Sequence, residues 1–269
     1  MARMFGRIRC FKATLALLAL LLGPSAYAQS EDAELAKKLT NPVSDLISVP
    51  FQNNYDCCFG EEDAQRYTLN FQPVVPVGLN KDLNVIVRTI VPFISQGETV
   101  AGQGGVTGFG DITQSFFLAS KEPKNGLIIG VGPAFLWPIG KARLGTEKFG
   151  AGPTAIVMKQ TGGTAVGMLA NHIWSYAGKS SREDVSNTFL QPFISHTFPD
   201  TTGLTLNTET SYDWEHKQWT VPVNFTVSHM VKVGQQRISL QMGARYYLES
   251  PRQGAEWGTR FALVFLFPK

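Results

Sequence analysis

The residues able to do covalent chemistry are few, and their spacing suits it poorly. Ser195 precedes His196, Ser228 precedes His229, and His172 has no serine two residues away. Hydrolysis by an activated serine needs a nucleophile, a base and an orienting group within hydrogen-bond reach. Neighbours in an extended chain point to opposite faces, so neither Ser-His pair can act as a unit. The expectation is a protein that is not an enzyme. Cys57 and Cys58 are adjacent. Three chemistries are open to them: a vicinal disulfide, a disulfide to another chain, or a soft-metal site. Adjacent cysteines do not match a zinc spacing and no histidine is near in sequence, so a structural disulfide or no special role is favoured. No metal and no cofactor are expected. "GQGG" (102–105) lacks the strand-to-helix setting of a phosphate loop and reads as a flexible loop.

The remaining chemistry is electrostatic. Arg88, Glu209, Arg245 and Arg260 fall on the polar side of alternating stretches. Gathered in an enclosed space, they form either a charged constriction that selects solutes or a network of paired charges that rigidifies a filled interior.

Those alternating stretches define the elements. In "LTLNTETSYDW" (204–214), Leu204, Leu206, Thr208, Thr210, Tyr212 and Trp214 share one face, and Thr205, Asn207, Glu209, Ser211 and Asp213 share the other. Period two means an extended strand. Such segments, bounded by turn residues, occur at 45–55, 65–77, 83–95, 110–120, 127–138, 148–160, 164–176, 187–198, 204–214, 218–230, 236–248 and 257–267. "SEDAELAKKL" (30–39) alone reads as a short helix. Tight turns at 78–82, 121–126, 161–163, 199–203 and 231–235 alternate with generally longer connections at 56–63, 96–108, 139–147, 178–186 and 250–256; "EHK" (215–217) is the short exception. An even number of antiparallel strands with short turns at one end and longer loops at the other is the plan of a bacterial outer-membrane barrel.

Three features set lipid, rather than a protein core, against the greasy faces. The strands are longer than the five or six residues or so usual in soluble sheets and suit a tilted membrane crossing. Their polar faces carry Thr, Ser, Asn, Gln and Gly with little charge. Aromatic residues mark the ends of the apolar faces: Tyr212, Trp214, Trp219, Tyr246, Trp257, Phe265 and Phe267. Such rings form interfacial girdles. Twelve strands at about 4.8 Å spacing and about 40° tilt enclose a backbone diameter of roughly 24 Å. Side chains from both walls leave little open space, which favours the paired-charge network. Pro73, Pro92, Pro133, Pro153, Pro192 and Pro222 lie inside these strands, where each removes a ladder donor. Bulges or lumen-side water must accommodate them.

Residues 1–28 carry a basic head (Arg3, Arg7, Arg9, Lys12), a short apolar run and "AYA" before Gln29, the pattern of a secretory signal peptide. This segment holds 4 of the 24 Lys and Arg and no acid, leaving 20 bases against 21 acids. The remaining chain is therefore close to neutral, which excludes nucleic acid as a partner on charge grounds.

"LTNPVSDLISVPFQNNYD" (39–56), "GFGD" (108–111), "FGAGPTAIV" (149–157) and "WGTRFALVFLF" (257–267) resemble the outer-membrane barrel family associated with the meta-pathway of phenol degradation, often labelled as transporters. The resemblance runs over nearly all of the chain after residue 28. It implies an outer-membrane barrel that passes small hydrophobic or aromatic compounds, and it carries no catalytic or ligand residues. The expected organisation is a signal peptide at 1–28, a periplasmic or plug segment at 29–44 and a single all-β, twelve-stranded antiparallel barrel at 45–269. Its partners are outer-membrane lipid and a small-molecule solute. The competing expectation is a closed structural or surface-interaction barrel without transport.

Overall fold

The structure, a computed structural model, describes residues 29–121 and 125–268. The signal sequence expected over 1–28 lies outside the described residues. Helix α1 (Gln29–Leu39) is built from good helix formers, and Lys37 and Lys38 occupy its last turn, where cations favour the dipole. Fifteen hydrogen-bonded runs follow, and three of the barrel strands consist of two runs each, which makes twelve strands. They are β1 (Ile47–Phe59), β2 (Ala64–Phe71 with Val74–Gly78), β3 (Leu83–Gln96), β4 (Val106–Phe109 with Ile112–Ser120), β5 (Leu127–Trp137) and β6 (Lys148–Thr161). The second half comprises β7 (Thr164–Gly178), β8 (Ser186–Thr197), β9 (Gly203–Thr208 with Thr210–Asp213), β10 (Gln218–Val233), β11 (Gln236–Glu249) and β12 (Trp257–Phe267). All pairings are antiparallel between neighbours, and β12 closes on β1 from Ile47↔Phe267 to Cys57↔Trp257. Closure leaves no sheet edge.

The outward face is apolar around the wall. Ile129, Val131, Val157, Val166, Ile194, Leu206, Phe225 and Phe261 are all exposed. A water-soluble monomer rarely shows a continuous apolar surface of this extent. This is the surface of a barrel seated in lipid.

The first connection is shorter than the sequence suggests. Residues 56–59, expected in a loop, continue β1, and only 60–63 form the turn. The register shifts between Asp56 and Phe59, and Cys58 takes a positive φ of 76° inside that bulge.

Six of the eight strand prolines, all but Pro50 and Pro76, sit at, or across from, places where the ladder lapses. Pro73 lies in the break of β2, and the Pro92 carbonyl accepts the Gly110 amide at the break of β4. Pro133 and Pro153 face each other across β5 and β6. On their far sides no residue pairs with Pro133 in β4 or with Pro153 in β7. The glycine before each proline admits the neighbouring backbone: a Cβ on Gly132 would lie 1.9 Å from the Phe116 carbonyl, and one on Gly152 would lie 1.8 Å from that of His172. Pro192 and Pro222 flank the break of β9 at Glu209, and the Pro222 carbonyl accepts the Glu209 amide at 3.3 Å. Breaks and bulges thus remove the missing-donor problem.

The lumen differs from the polar interior expected. At the tight-turn end it is an apolar core. Ile86, Phe117, Ile128, Ile156, Met158 and Leu169 point inward and pack on Val43. Opposite them, Leu35 and Ala36 of α1, with Leu46, pack on Met230, Val264 and Leu266. Helix α1 and the segment after it therefore occupy the tight-turn half of the lumen. Asp32 accepts from the Arg237 Nε at 2.5 Å, and the Lys37 carbonyl accepts from Gln160 at 3.3 Å.

The face assignment is directly testable. Leu263 pairs with Leu240 and Phe51 on the outward side, whereas Gln241 lines the lumen. Leu263→Arg is expected to destabilise the barrel by about 2–4 kcal/mol, the cost of a cation near the bilayer midplane. Gln241→Arg should cost far less. Urea unfolding in lipid vesicles measures both, and equal costs would refute the assignment.

Candidate functional site

A cavity of about 370 Å³ lies in the lumen. Its floor is formed by Ala36 and Leu39 of α1 with Thr40 and Asn41 after it. Its walls come from β1–β3 and β8–β12. Inward positions of β1, β9 and β11 supply hydroxyls and amides such as Gln52, Thr205, Asn207, Ser239 and Gln241, as alternation requires. Val74, Ile90, Phe189 and Phe193 make one side apolar.

Charged residues from four strands meet above it. Glu209 is held by two guanidiniums. Arg260 donates to Glu209 Oε1 at 2.9 Å and to Oε2 at 2.8 Å, and Arg245 Nη2 donates to Oε2 as well. Arg245 Nε also donates to Asn224 Oδ1 at 2.8 Å, and its Nη1 reaches both oxygens of Asp56 at 3.4 Å. The Tyr247 hydroxyl donates to Asp56 Oδ1 at 3.1 Å, and Arg260 Nε donates to Asn54 Oδ1 at 2.8 Å. Arg245 and Arg260 side chains are 9% and 6% exposed, so this is a desolvated network in which every bond counts. Arg88 stands apart, donating only to Gln72 Oε1, at 3.3 Å, among the described residues.

The structure thus brings three of the four expected lumen charges into one network and leaves Arg88 beside it. Asp56, Asn54, Asn224 and Tyr247 complete the network and were not singled out in the sequence. Extending the β1 alternation by two residues, from Asn54 to Asp56, was the signal available for the acid.

The aromatic residues occupy both ends of the wall. Tyr212 pairs with Trp219, and Tyr246 with Trp257, at the loop end. Tyr212 also packs against Trp214 at 4.8 Å. Phe265 and Phe267 lie at the tight-turn end, facing Val49 and Ile47. Trp137, Phe149, Trp174 and Tyr176 extend the loop-end row and were not expected. Cys57 and Cys58 are joined by a disulfide within the β1 bulge. The three strand histidines each bond a threonine: His172 with Thr188 at 2.6 Å, His196 with Thr164 at 2.8 Å and His229 with Thr202 at 3.2 Å. Ser195 Oγ is buried without a hydrogen-bond partner among the described residues.

At the loop-end mouth, His216 lies 2.8 Å from Asp213 and 3.1 Å from Glu183, and so ties the 215–217 turn to the 179–185 loop. The hydrogen bond with Asp213, then the attraction of Asp213 and Glu183, raise its pKa above the usual value. The same loop is anchored by Lys148–Asp184 at 2.9 Å and Arg182–Glu147 at 3.3 Å.

Two outcomes follow from these contacts. Glu209→Ala strands two buried guanidiniums and should lower stability by about 3–5 kcal/mol, read from the urea midpoint. A raised histidine pKa means that the His216 tie is fully present below the unfolded value of about 6.5 and is lost as pH rises through the folded value. Protease cleavage within 179–185 should therefore be slower at about pH 5.5 than at about pH 8, and His216→Ala should remove that difference.

Comparison with known proteins places the fold. No family model matches this chain, and no curated protein does. Among solved structures, it is similar to an outer membrane channel from Pseudomonas putida F1, with a TM-score of 0.65 and 15% identity over 83% of this chain and 96% of that one. It is also similar to an active-site mutant of outer membrane phospholipase A from Escherichia coli, with a TM-score of 0.46 and 12% identity over 90% of this chain and 99% of that one. The fold is that of a twelve-stranded outer-membrane β-barrel.

Proposed function

We propose that this chain is a narrow channel passing small solutes across the outer membrane. The tight-turn end, with both ends of the barrel segment, faces the periplasm, and the loop end faces outward. Residues 1–28 direct export, 29–44 form a plug and 45–269 form the barrel. Hydrophobic or aromatic compounds are the favoured solutes, in keeping with the resemblance to the barrel family of phenol degradation. The observation that carries this reading is the cavity of about 370 Å³, lined from the residues of the 29–44 segment up to Glu209 and Arg260. A structural filler would have no reason to leave it. No serine–histidine pair supports catalysis, and we propose no enzymatic activity.

One observation favours the competing reading of a closed structural barrel. The two apolar clusters and the Arg–Glu layer both narrow the lumen. Planar-bilayer conductance separates the two. The full chain should give small conductance steps, and a variant lacking 29–44 should give larger ones. Zero conductance from both, with both folded, would establish the closed barrel.

A further inference from the structure

The charges lining the lumen do not cancel. Arg66, Arg88, Arg245 and Arg260 point inward, against the carboxylates Asp56 and Glu209. Both Glu209 oxygens are occupied, and Asp56 faces Arg245 and Tyr247. Arg66 spends its Nε and Nη2 on Gln96 and covers the Phe59 ring at 4.5 Å. Arg88 forms no ion pair among the described residues and makes one side-chain hydrogen bond, to Gln72, although a guanidinium carries five N–H donors.

We propose that Arg88 anchors a binding subsite for a small organic monocarboxylate with an apolar body. The subsite deepens the channel reading and rests on it. A carboxylate matches the planar guanidinium by paired N–H bonds, which a neutral solute cannot offer. A wholly apolar solute filling the cavity would strip water from a cation that holds one side-chain hydrogen bond and feels Glu209 only at a distance, a costly arrangement. The apolar body has its own wall. Val74 is the register partner of Arg88, Ile90 is two residues along the same inward face, and Phe189 and Phe193 line the same space. At about 370 Å³ the cavity is near the lower bound of small-ligand sites, so the solute is compact. One cation without a direct carboxylate contact selects one negative charge, and the nearby Glu209 further disfavours dianions such as phosphate esters.

The test is calorimetric titration of the folded full chain with benzoate, benzyl alcohol and acetate. Benzoate should bind more tightly than either alternative, since benzyl alcohol lacks the charge and acetate lacks the body. Arg88→Gln should weaken benzoate by at least about tenfold, the size of a charge-assisted hydrogen bond. Should that variant misfold, Gln72→Glu serves the same end. It sets a carboxylate beside Arg88 and should abolish benzoate binding. Equal binding of benzoate and benzyl alcohol, equal binding of benzoate and acetate, or benzoate affinity unchanged by either variant would overturn the subsite. Vesicle uptake of benzoate is read separately. Arg88-dependent binding without uptake keeps the subsite and sinks the channel. Uptake without such binding does the reverse.

Discussion

Every backbone donor in a closed barrel in lipid must find its partner within the wall. No edge strand is available and no water can substitute on the outer side. This chain nonetheless carries eight prolines within the spans of its strands. For six of them the constraint is met by a place at or across from a ladder break, so the breaks are positions where the wall departs from regular pairing. The break at Glu209, set between Pro192 and Pro222, falls where Glu209 meets Arg245 and Arg260. The facing Pro133 and Pro153 keep the ladder between them in register, and each interrupts only the pairing on its far side. Backbone irregularity and the charged layer are thus linked through the same residues.

A second consequence concerns the lumen. Twelve strands enclose a space too wide for wall side chains alone to fill and too narrow for an open pore of porin size. The chain divides that space. On one side of the tight-turn half, inward Phe117, Ile128, Ile156 and Met158 make a true core. On the other, α1 supplies the missing volume against Met230, Val264 and Leu266. The cavity is what remains beneath the charged layer. Its outline depends on a segment that is not part of the wall, so plug and cavity must be considered together.

The twelve strands were legible because alternation and turn residues agree along most of the chain, most plainly from 204 to 267. The lumen charges were legible on β9 and β11, where inward residues are polar and outward ones apolar, and on β12 because Arg260 is the one charge on an otherwise small and apolar inward face. Asp56 was missed because its neighbours Cys57, Cys58 and Gly60 resemble a loop, although the bulge keeps β1 paired to Phe59. The apolar core was missed because "LNVIVRTIVPFISQ" and "LIIGVGPAFLW" are apolar on both faces, and periodicity alone cannot then tell lipid from interior. The position of α1 was also beyond reach. Leu35, Ala36 and Leu39 reveal an amphipathic helix but do not name the surface it covers.

The electrostatics of the lumen follow from this division of space. In a wide, wet pore a surplus guanidinium would be screened by water and salt. Here the plug and the apolar core exclude much of that solvent, so the surplus charge on the cavity wall acts at close range and low effective dielectric. Glu209 attracts Arg88 at a distance, but its oxygens are bonded to Arg245 and Arg260. The surplus must therefore be met by whatever enters the cavity. On the proposed reading, a preference for charge would follow from filling the lumen, and a wider barrel carrying the same residues would show less of it.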